Sequence, residues 1–180
     1  MPVIVSRDRQ AVQAVIHSAL LDPILDGPFI VELKALAHTQ REEVVSAARD
    51  WIGTPYHHAA DLKGHGVDCA MLLVRVYCHV GLVEPFDPRP YTRDWFMHRG
   101  EEKYLGFLFD RALEVREPGL GDTVVFRIGR LFAHAGIVSR IDPLSVIHAF
   151  APLGCVVEDI VACGELAGKF KTAKFASYWG

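Results

Sequence analysis

Residues 65–77 read His65-Gly66-Val67-Asp68-Cys69-Ala70-Met71-Leu72-Leu73-Val74-Arg75-Val76-Tyr77, a glycine-spaced loop that runs directly into an apolar segment. Counted from Cys69, large apolar residues recur at offsets of 3, 4, 7, 8 and 11, which is the spacing of one helix face. The spacing predicts a helix that begins near Cys69. Because the first N–H groups of a helix are unpaired and carry partial positive charge, we expect the pKa of the Cys69 thiol to lie below its free value of about 8.5.

A nucleophilic cysteine needs a base, and two later segments contain a histidine within a short β-branched run. His134 lies in the segment 133–138 and His148 in the segment 146–150. Taken singly, a cysteine on an apolar helix or a buried histidine is more often structural than catalytic. Together they supply the thiol, the base and the group orienting the base that nucleophilic catalysis requires.

Length and composition favour a single domain with one core, since 51% of the 180 residues are hydrophobic. The net charge of −3 gives no electrostatic footprint for nucleic acid or an anionic membrane. No apolar run approaches the roughly 20 residues of a membrane span, and residues 1–25 contain too many polar side chains for a signal peptide. We therefore expect no nucleic-acid partner and no membrane span.

The four cysteines form no C-x-x-C pair, and they are too few for disulfides to stabilise a chain of this length. They indicate a reducing environment. Cys78 lies nine residues beyond Cys69, too far along one helix for a disulfide, and is predicted to be structural.

Helical patterns are predicted in the first two thirds of the chain, at 3–21, at 39–51 and around 101–113. The second helix opens with a capping box, Thr39-Gln40-Arg41-Glu42, and a short strand is predicted at 29–31. A Pro-rich stretch that follows the Cys69 helix carries Tyr91, Trp95, Phe96 and Tyr104. We expect these aromatic residues to anchor a loop on the core, and lining of a cleft is the alternative.

The last third changes to short runs rich in valine and isoleucine at 122–128, 133–140, 145–150 and 155–160, with a closing strand near 170–178. Turn residues separate the runs, so an antiparallel meander is predicted. Helices followed by strands indicate an α+β domain in which the Cys69 helix packs against the sheet. His134 and His148 should lie on neighbouring strands, with the register between them left open.

Five motifs follow one another in the chain: Trp51-Ile52-Gly53-Thr54-Pro55-Tyr56, Asp68-Cys69, Gly121-Asp122-Thr123-Val124-Val125-Phe126, His134-Ala135-Gly136-Ile137-Val138 and Ile147-His148-Ala149. In this order and spacing they resemble the NlpC-type family of papain-like cell-wall cysteine peptidases. The resemblance covers residues 40–160 and is nearest to members carried by phages and prophages.

The resemblance implies a papain-like fold and a Cys-His-His catalytic triad. In the family, the residue matching Cys69 is the nucleophile, that matching His134 the general base and that matching His148 the polar group orienting the base. Tyr56 and Asp68 match substrate-binding positions beside the nucleophile, and Asp68 also matches a position that shapes the loop. The implied activity is hydrolysis of peptidoglycan stem peptides, most often at the γ-D-glutamyl bond to diaminopimelate or lysine, with no cofactor and no metal.

Domain organisation and localisation follow from the same resemblance. Residues 1–38 have no counterpart in the family and are predicted to be a leader of unknown role, packed on or extending from a peptidase domain at 39–180. Without a signal peptide, the chain would be made in the cytoplasm and act on the cell wall. Delivery on a phage particle, with phage tail proteins as partners, is one route to the wall, and an unrecognised export route is the alternative.

The sequence departs from the family pattern in two places. Ala70-Met71 stands where serine-glycine usually follows the nucleophile, and His58-Ala59-Ala60 replaces a tryptophan-glycine-glycine. A bulky Met71 would narrow the site, so the reaction type is more firmly implied than the substrate.

Three other readings remain. The chain could be a tail-assembly structural protein with a peptidase-like fold, or an amidase or acyltransferase that uses the same cysteine and histidine. A metal module is the third, because potential ligands are dense around the nucleophile, although their spacing matches no standard zinc pattern. These potential ligands are His57, His58, His65, Cys69 and His79.

Overall fold

The computed structural model describes residues 27–91 and 103–179. In these ranges the α-helices are α1 (Pro28–Arg49), α2 (Cys69–His79) and α3 (Lys103–Phe109). The strands are β1 (Asp61–Leu62), β2 (Gly66–Val67), β3 (Leu113–Val115), β4 (Thr123–Ile128), β5 (Leu131–Arg140), β6 (Ser145–Phe150), β7 (Cys155–Ile160) and β8 (Lys174–Ser177). The helix predicted at 3–21 lies outside the described residues, as do Trp95 and Phe96.

The main sheet has six antiparallel strands in the order β3-β8-β4-β5-β6-β7. Strands β4 to β7 form the predicted meander. The predicted closing strand is β8, which returns between β3 and β4. The α+β prediction is confirmed. Within the described ranges, no helix combines the length and the apolar character needed to cross a membrane.

Helix α2 begins at Cys69, as the apolar spacing predicted. Asp68 is its N-cap, and the Asp68 carboxylate accepts a hydrogen bond of 2.9 Å from the Met71 N–H. The buried face of α2 packs on sheet residues of β5 and β6, among them Ala135 and Ile147. The nucleophile helix therefore lies against the sheet, with its first turn held by a buried carboxylate.

Helix α1 begins eleven residues before the capping box that was predicted to open it, at Pro28 instead of Thr39. Residues 29–31 are helical, so the predicted strand there is wrong. Thr39 lies inside the helix, where its hydroxyl donates to the Ala35 carbonyl at 3.1 Å. The helix extends to Pro28 because residues of its first turns, including Ile30 and Leu33, are buried in the same core cluster as α2.

The predicted boundary between residues 38 and 39 falls within α1, which is continuous there. The division of the chain into a leader and a domain stays a prediction.

The sheet separates two apolar clusters. The face that contacts α1 and α2 contributes Ala135, Ile137 and Ile147 to the main cluster. The opposite face contributes residues such as Phe126 and Phe150 to a second cluster. Val161 and Leu166, from the segment after β7, belong to the same cluster. Both faces of the central strands are therefore buried.

A buried ion pair ties α1 to the start of β4. Arg41 Nη1 donates to Asp122 Oδ1 at 2.8 Å and to the Leu120 carbonyl at 2.7 Å, and the Asp122 side chain is 2% exposed. Arg41 Nη2 donates to Ser177 Oγ at 3.2 Å, and the guanidinium lies 4.2 Å over the Trp179 ring. The pair connects the helical layer with both β4 and the end of the chain.

Replacing Arg41 with alanine should lower the free energy of unfolding by about 3–5 kcal/mol, because Asp122 would remain buried without its partner. Urea denaturation measures the change. The matched control is Arg49→Ala, also on α1, whose pair with Glu158 at 3.0 Å is more exposed and should contribute less than about 1 kcal/mol. Equal losses in the two variants would contradict the assignment.

Candidate active site

The loop before Cys69 is fastened by one buried carboxylate. Besides capping α2, Asp68 accepts hydrogen bonds from the Ala59 N–H at 2.7 Å and from the Tyr91 hydroxyl at 2.8 Å, and its side chain is only 3% exposed. Ala59 has a positive φ of 58°, which L residues rarely adopt. Asp68 thus stabilises a strained loop and the helix start together, which agrees with its predicted loop-shaping role. Contact with substrate stays a prediction.

The sulfur of Cys69 lies beside the strand that carries His134. The backbone N–H of Ala135, the residue after His134, interacts with the sulfur and acts to lower the pKa of the thiol. The N–H groups of Cys69 and Ala70 act in the same direction. Helix start and strand therefore meet at the sulfur.

The direction of the Ala135 N–H follows from the strand register. Val138 N donates to Asp122 O, on the β4 side, so the N–H of Ala135 points to the β6 side because odd and even residues alternate. Pairing of β5 with β6 begins only at Ile137↔Ile147. The sulfur of Cys69 therefore lies where β5 and β6 separate.

The ionisation of Cys69 differs from the expectation. Burial raises the pKa of the Cys69 thiol to about 12, and the adjacent Asp68 carboxylate acts in the same direction. The backbone N–H groups at the helix start oppose this rise without cancelling it. The predicted pKa below 8.5 is wrong, since desolvation of the thiolate outweighs the helix terminus. A raised pKa favours the neutral thiol, so attack by Cys69 needs a base.

His134 and His148 are hydrogen-bonded to each other. His134 Nε2 lies 2.8 Å from His148 Nδ1, and the ring centroids are 5.0 Å apart at 69°. Both residues are buried, and both rings contact Phe150. With its Nε2 atom engaged, His134 has Nδ1 as the nitrogen that can take a proton. The open question of register is answered, because both rings lie on the same face of the sheet. It is the face of Phe126 and Phe150, opposite to the one that contacts α2.

Burial lowers the pKa of both imidazoles. The pKa of His148 falls to about 4, and that of His134 falls well below its usual range, because burial and a charge on His148 both disfavour the imidazolium. Both rings are neutral at pH 7. His134 is therefore a neutral base next to a neutral donor or acceptor.

Tyr56 lies on the loop that leads to the nucleophile. Its N–H donates to the Gly154 carbonyl at 2.7 Å, and its backbone forms a bridge with Val67. Its side chain is partly buried against the main cluster. This places Tyr56 between β2 and the turn before β7, while its role in binding substrate stays a prediction.

Tyr91 is a residue of the site that the sequence analysis did not predict there. Its hydroxyl donates to Asp68, and its ring packs edge-on to His58 at 5.3 Å. Burial and the charge of Asp68 both raise the pKa of Tyr91. The expected anchoring of the loop is therefore observed, with the anchor at the site itself. The density of aromatic residues was the only sequence signal for it.

The two departures from the family motif have different outcomes. Met71 is fully buried in the main cluster, so the expectation that it narrows the site is wrong. His58 Nε2 lies 3.0 Å from the Tyr91 carbonyl, and His58 therefore holds the same loop as Asp68.

The structure of residues 27–91 and 103–179 does not support the hypothesis of a metal module. No three histidine, cysteine, aspartate or glutamate side chains in these ranges are grouped as a metal site. His65 Nδ1 instead lies 3.2 Å from the Lys63 carbonyl, and His79 is at the opposite end of α2 from Cys69.

Lowering the pH from 7.5 to 5 should destabilise the wild-type protein more than a His148→Asn variant, by about 2 kcal/mol. The unfolded His148, with a pKa near 6.5, binds a proton that the folded residue, with a pKa of about 4, does not bind until lower pH. Stability is therefore lost as the pH falls through this window. Urea denaturation at both pH values measures it.

The control for this measurement is His65→Asn at an exposed position, which should lose as much stability on acidification as the wild type. An acid loss in His148→Asn equal to that of the wild type would contradict the low pKa of His148.

Comparison with known proteins gives matches among solved structures. No protein-family model matches the sequence, and no curated protein matches it. The chain is similar to the NlpC/p60 domain of the peptidoglycan hydrolase SagA, with 20% identity and a TM-score of 0.48, over 76% of this chain and 97% of that chain.

A second similar structure is an NlpC/p60 family protein from Bacillus cereus, with 18% identity and a TM-score of 0.54. The match covers 78% of this chain and 40% of that protein. The predicted NlpC-type, papain-like architecture is confirmed at the level of the fold. The phage-borne subgroup stays a prediction.

Proposed function

We propose that this protein is a cysteine peptidase that hydrolyses peptidoglycan stem peptides, with Cys69 as nucleophile, His134 as general base and His148 as the group that orients the base. The observation that carries the proposal is the buried 2.8 Å contact between His134 and His148. The N–H of Ala135, the residue after His134, interacts with the Cys69 sulfur and so brings the nucleophile to the same strand. The similarity of the fold to an NlpC/p60 family protein, together with the sequence resemblance, supports the substrate class.

The raised pKa of Cys69 and the lowered pKa of His134 favour proton transfer that is coupled to attack. His134 Nδ1 takes the thiol proton as the sulfur bonds to the amide carbonyl carbon. Backbone N–H groups at the start of α2 stabilise the oxyanion. The proton then passes from His134 to the leaving amine as the C–N bond breaks, which leaves a thioester on Cys69.

Water completes the cycle. His134 removes a proton from the water as its oxygen attacks the thioester carbonyl, and the Cys69 sulfur leaves with that proton. The products are a carboxylate peptide and a new amine. We infer the γ-D-glutamyl bond to diaminopimelate or lysine as the target from the sequence resemblance, which also suggests delivery to the wall on a phage particle.

Replacing Cys69 with alanine should reduce hydrolysis of defined stem peptides at least about a thousandfold, because the nucleophile is lost. Mass spectrometry of peptidoglycan fragments incubated with each protein measures it. A new free amine on diaminopimelate in the wild-type reaction would identify the bond.

Cys163→Ala is the matched control, since Cys163 is an exposed thiol in the turn after β7. It should cleave like the wild type. Undiminished hydrolysis by Cys69→Ala would remove the nucleophile from the proposal.

His134→Ala should lose between about 10²- and 10⁴-fold in kcat, as for removal of a general base. His148→Ala should lose less, because it orients the base without transferring the proton, and His148→Asn should recover part of the rate. The Asn carbonyl oxygen can still accept from the His134 Nε2–H. Steady-state kinetics measure these values, with unfolding curves to show that each variant folds. A larger loss in His148→Ala than in His134→Ala would reverse the two roles.

The same reactions separate the rival functions. An acyltransferase would form a thioester and pass the acyl group to an added amine, which mass spectrometry would detect as a conjugate. A tail-assembly structural protein would leave every fragment intact in both the wild-type and the Cys69→Ala incubations.

A further inference from the structure

The role of His134 as a base depends on where His148 carries its proton. For His134 Nδ1 to accept the thiol proton, its Nε2 must carry hydrogen and donate to His148 Nδ1. A neutral His148 must then hold its own proton on Nε2. With the proton on His148 Nδ1, the hydrogen bond would run the other way and His134 Nδ1 would already be protonated.

The other ring nitrogen of His148, Nε2, is not explained by any contact described so far. It is buried, and it has no hydrogen-bond partner among the residues that the structure describes. The two nitrogens of an imidazole point to opposite sides of the ring. Because Nδ1 faces His134 on β5, Nε2 points away from β5, in the direction of β7.

Asp159 is the carboxylate that β7 places on this side. His148 pairs with Val157 and Val146 pairs with Asp159, so Asp159 lies on the same sheet face as His148, one pair farther along. The spacing of such diagonal neighbours is about 7–8 Å between their backbones, within reach of a side chain or a bridging water.

The Asp159 carboxylate is held in place by the turn that follows β7. Its Oδ2 accepts from the Glu165 N–H at 3.1 Å. A Cβ atom built on Gly164 would clash with this oxygen, so the turn packs directly on the carboxylate. Any side chain at 164 would displace Asp159.

Among the described residues, one charged side chain acts on each ring. Asp159 favours the protonated form of His148, and Lys169, in the segment after β7, disfavours that of His134. His134 is itself a titratable neighbour of His148. Asp159 therefore supplies the negative charge on the Nε2 side of the pair.

We propose that Asp159 is a positioning residue that keeps the proton of neutral His148 on Nε2, so that His134 presents Nδ1 to Cys69. The sequence of groups Asp159, His148, His134 and Cys69 extends the proposed triad by one member. Its effect on rate rests on the proposed function, but the location of the proton does not.

The first test is ¹⁵N NMR of histidine-labelled protein at pH 7, where pyrrole-type and pyridine-type nitrogens have distinct shifts. Wild-type His148 should show a protonated Nε2 and an unprotonated Nδ1. Asp159→Ala should shift His148 toward the other tautomer, and Asp159→Asn, which retains an acceptor oxygen, should shift it less. Wild-type His148 protonated on Nδ1, or no change in Asp159→Ala, would overturn the proposal.

The second test is kinetic. Asp159→Ala should lower kcat roughly tenfold with little change in KM, as for other groups that orient an imidazole through its second nitrogen, and Asp159→Asn should fall between it and the wild type. The control is Glu158→Gln, the neighbouring carboxylate on the opposite face of β7, which pairs with Arg49 and should keep both the tautomer and the rate.

The two tests separate the failure of this inference from that of the proposed function. If the wild type cleaves no stem peptide, the function is wrong and the NMR tautomer alone decides the role of Asp159. If the wild type cleaves and Asp159→Ala keeps both the tautomer and kcat, the role of Asp159 is wrong and the peptidase remains.

Discussion

The capping of α2 by Asp68 is the interaction on which the rest of the site depends. One buried carboxylate accepts from the helix at Met71, from the preceding loop at Ala59 and from Tyr91. These bonds determine where the helix begins and thus where the Cys69 sulfur lies. Because a buried carboxylate is stable only when its hydrogen bonds are made, loop, helix and aromatic anchor are held as one unit. The same charge next to the sulfur also makes its thiolate less stable.

Burial gives the site its chemical character. A helix start and three N–H groups favour a thiolate, but desolvation and the Asp68 charge outweigh them and leave a neutral thiol. The histidines are likewise neutral because their imidazolium forms would be buried. A site of neutral groups develops charge only during reaction, where preorganised donors are most effective. The Cys69 sulfur lies against β5 at the point where β5 separates from β6. From Ile137↔Ile147 onward the two strands are paired, and this pairing fixes their positions.

Much of the fold could be predicted from local pattern. The helix at Cys69, the meander from β4 to β7 and the closing strand follow from apolar periodicity and turn residues, which report directly on burial. The start of α1 could not be predicted in this way. Thr39 carries a good capping pattern, but Ile30 and Leu33 bury against the core and extend the helix beyond it. Local capping contributes about 1 kcal/mol, less than the burial of two large side chains.

The sequence by itself determined three residues of the candidate site, Cys69, His134 and His148, and their order along the chain, because a thiol at a helix start and imidazoles in β-branched runs are local features. The tertiary structure decided their ionisation and their positions relative to one another. The pKa of Cys69, the shared face of His134 and His148, the placement of Tyr91 on Asp68 and the position of Asp159 beside His148 all depend on register and desolvation. Both arise between segments distant in the chain, where no local spacing records them.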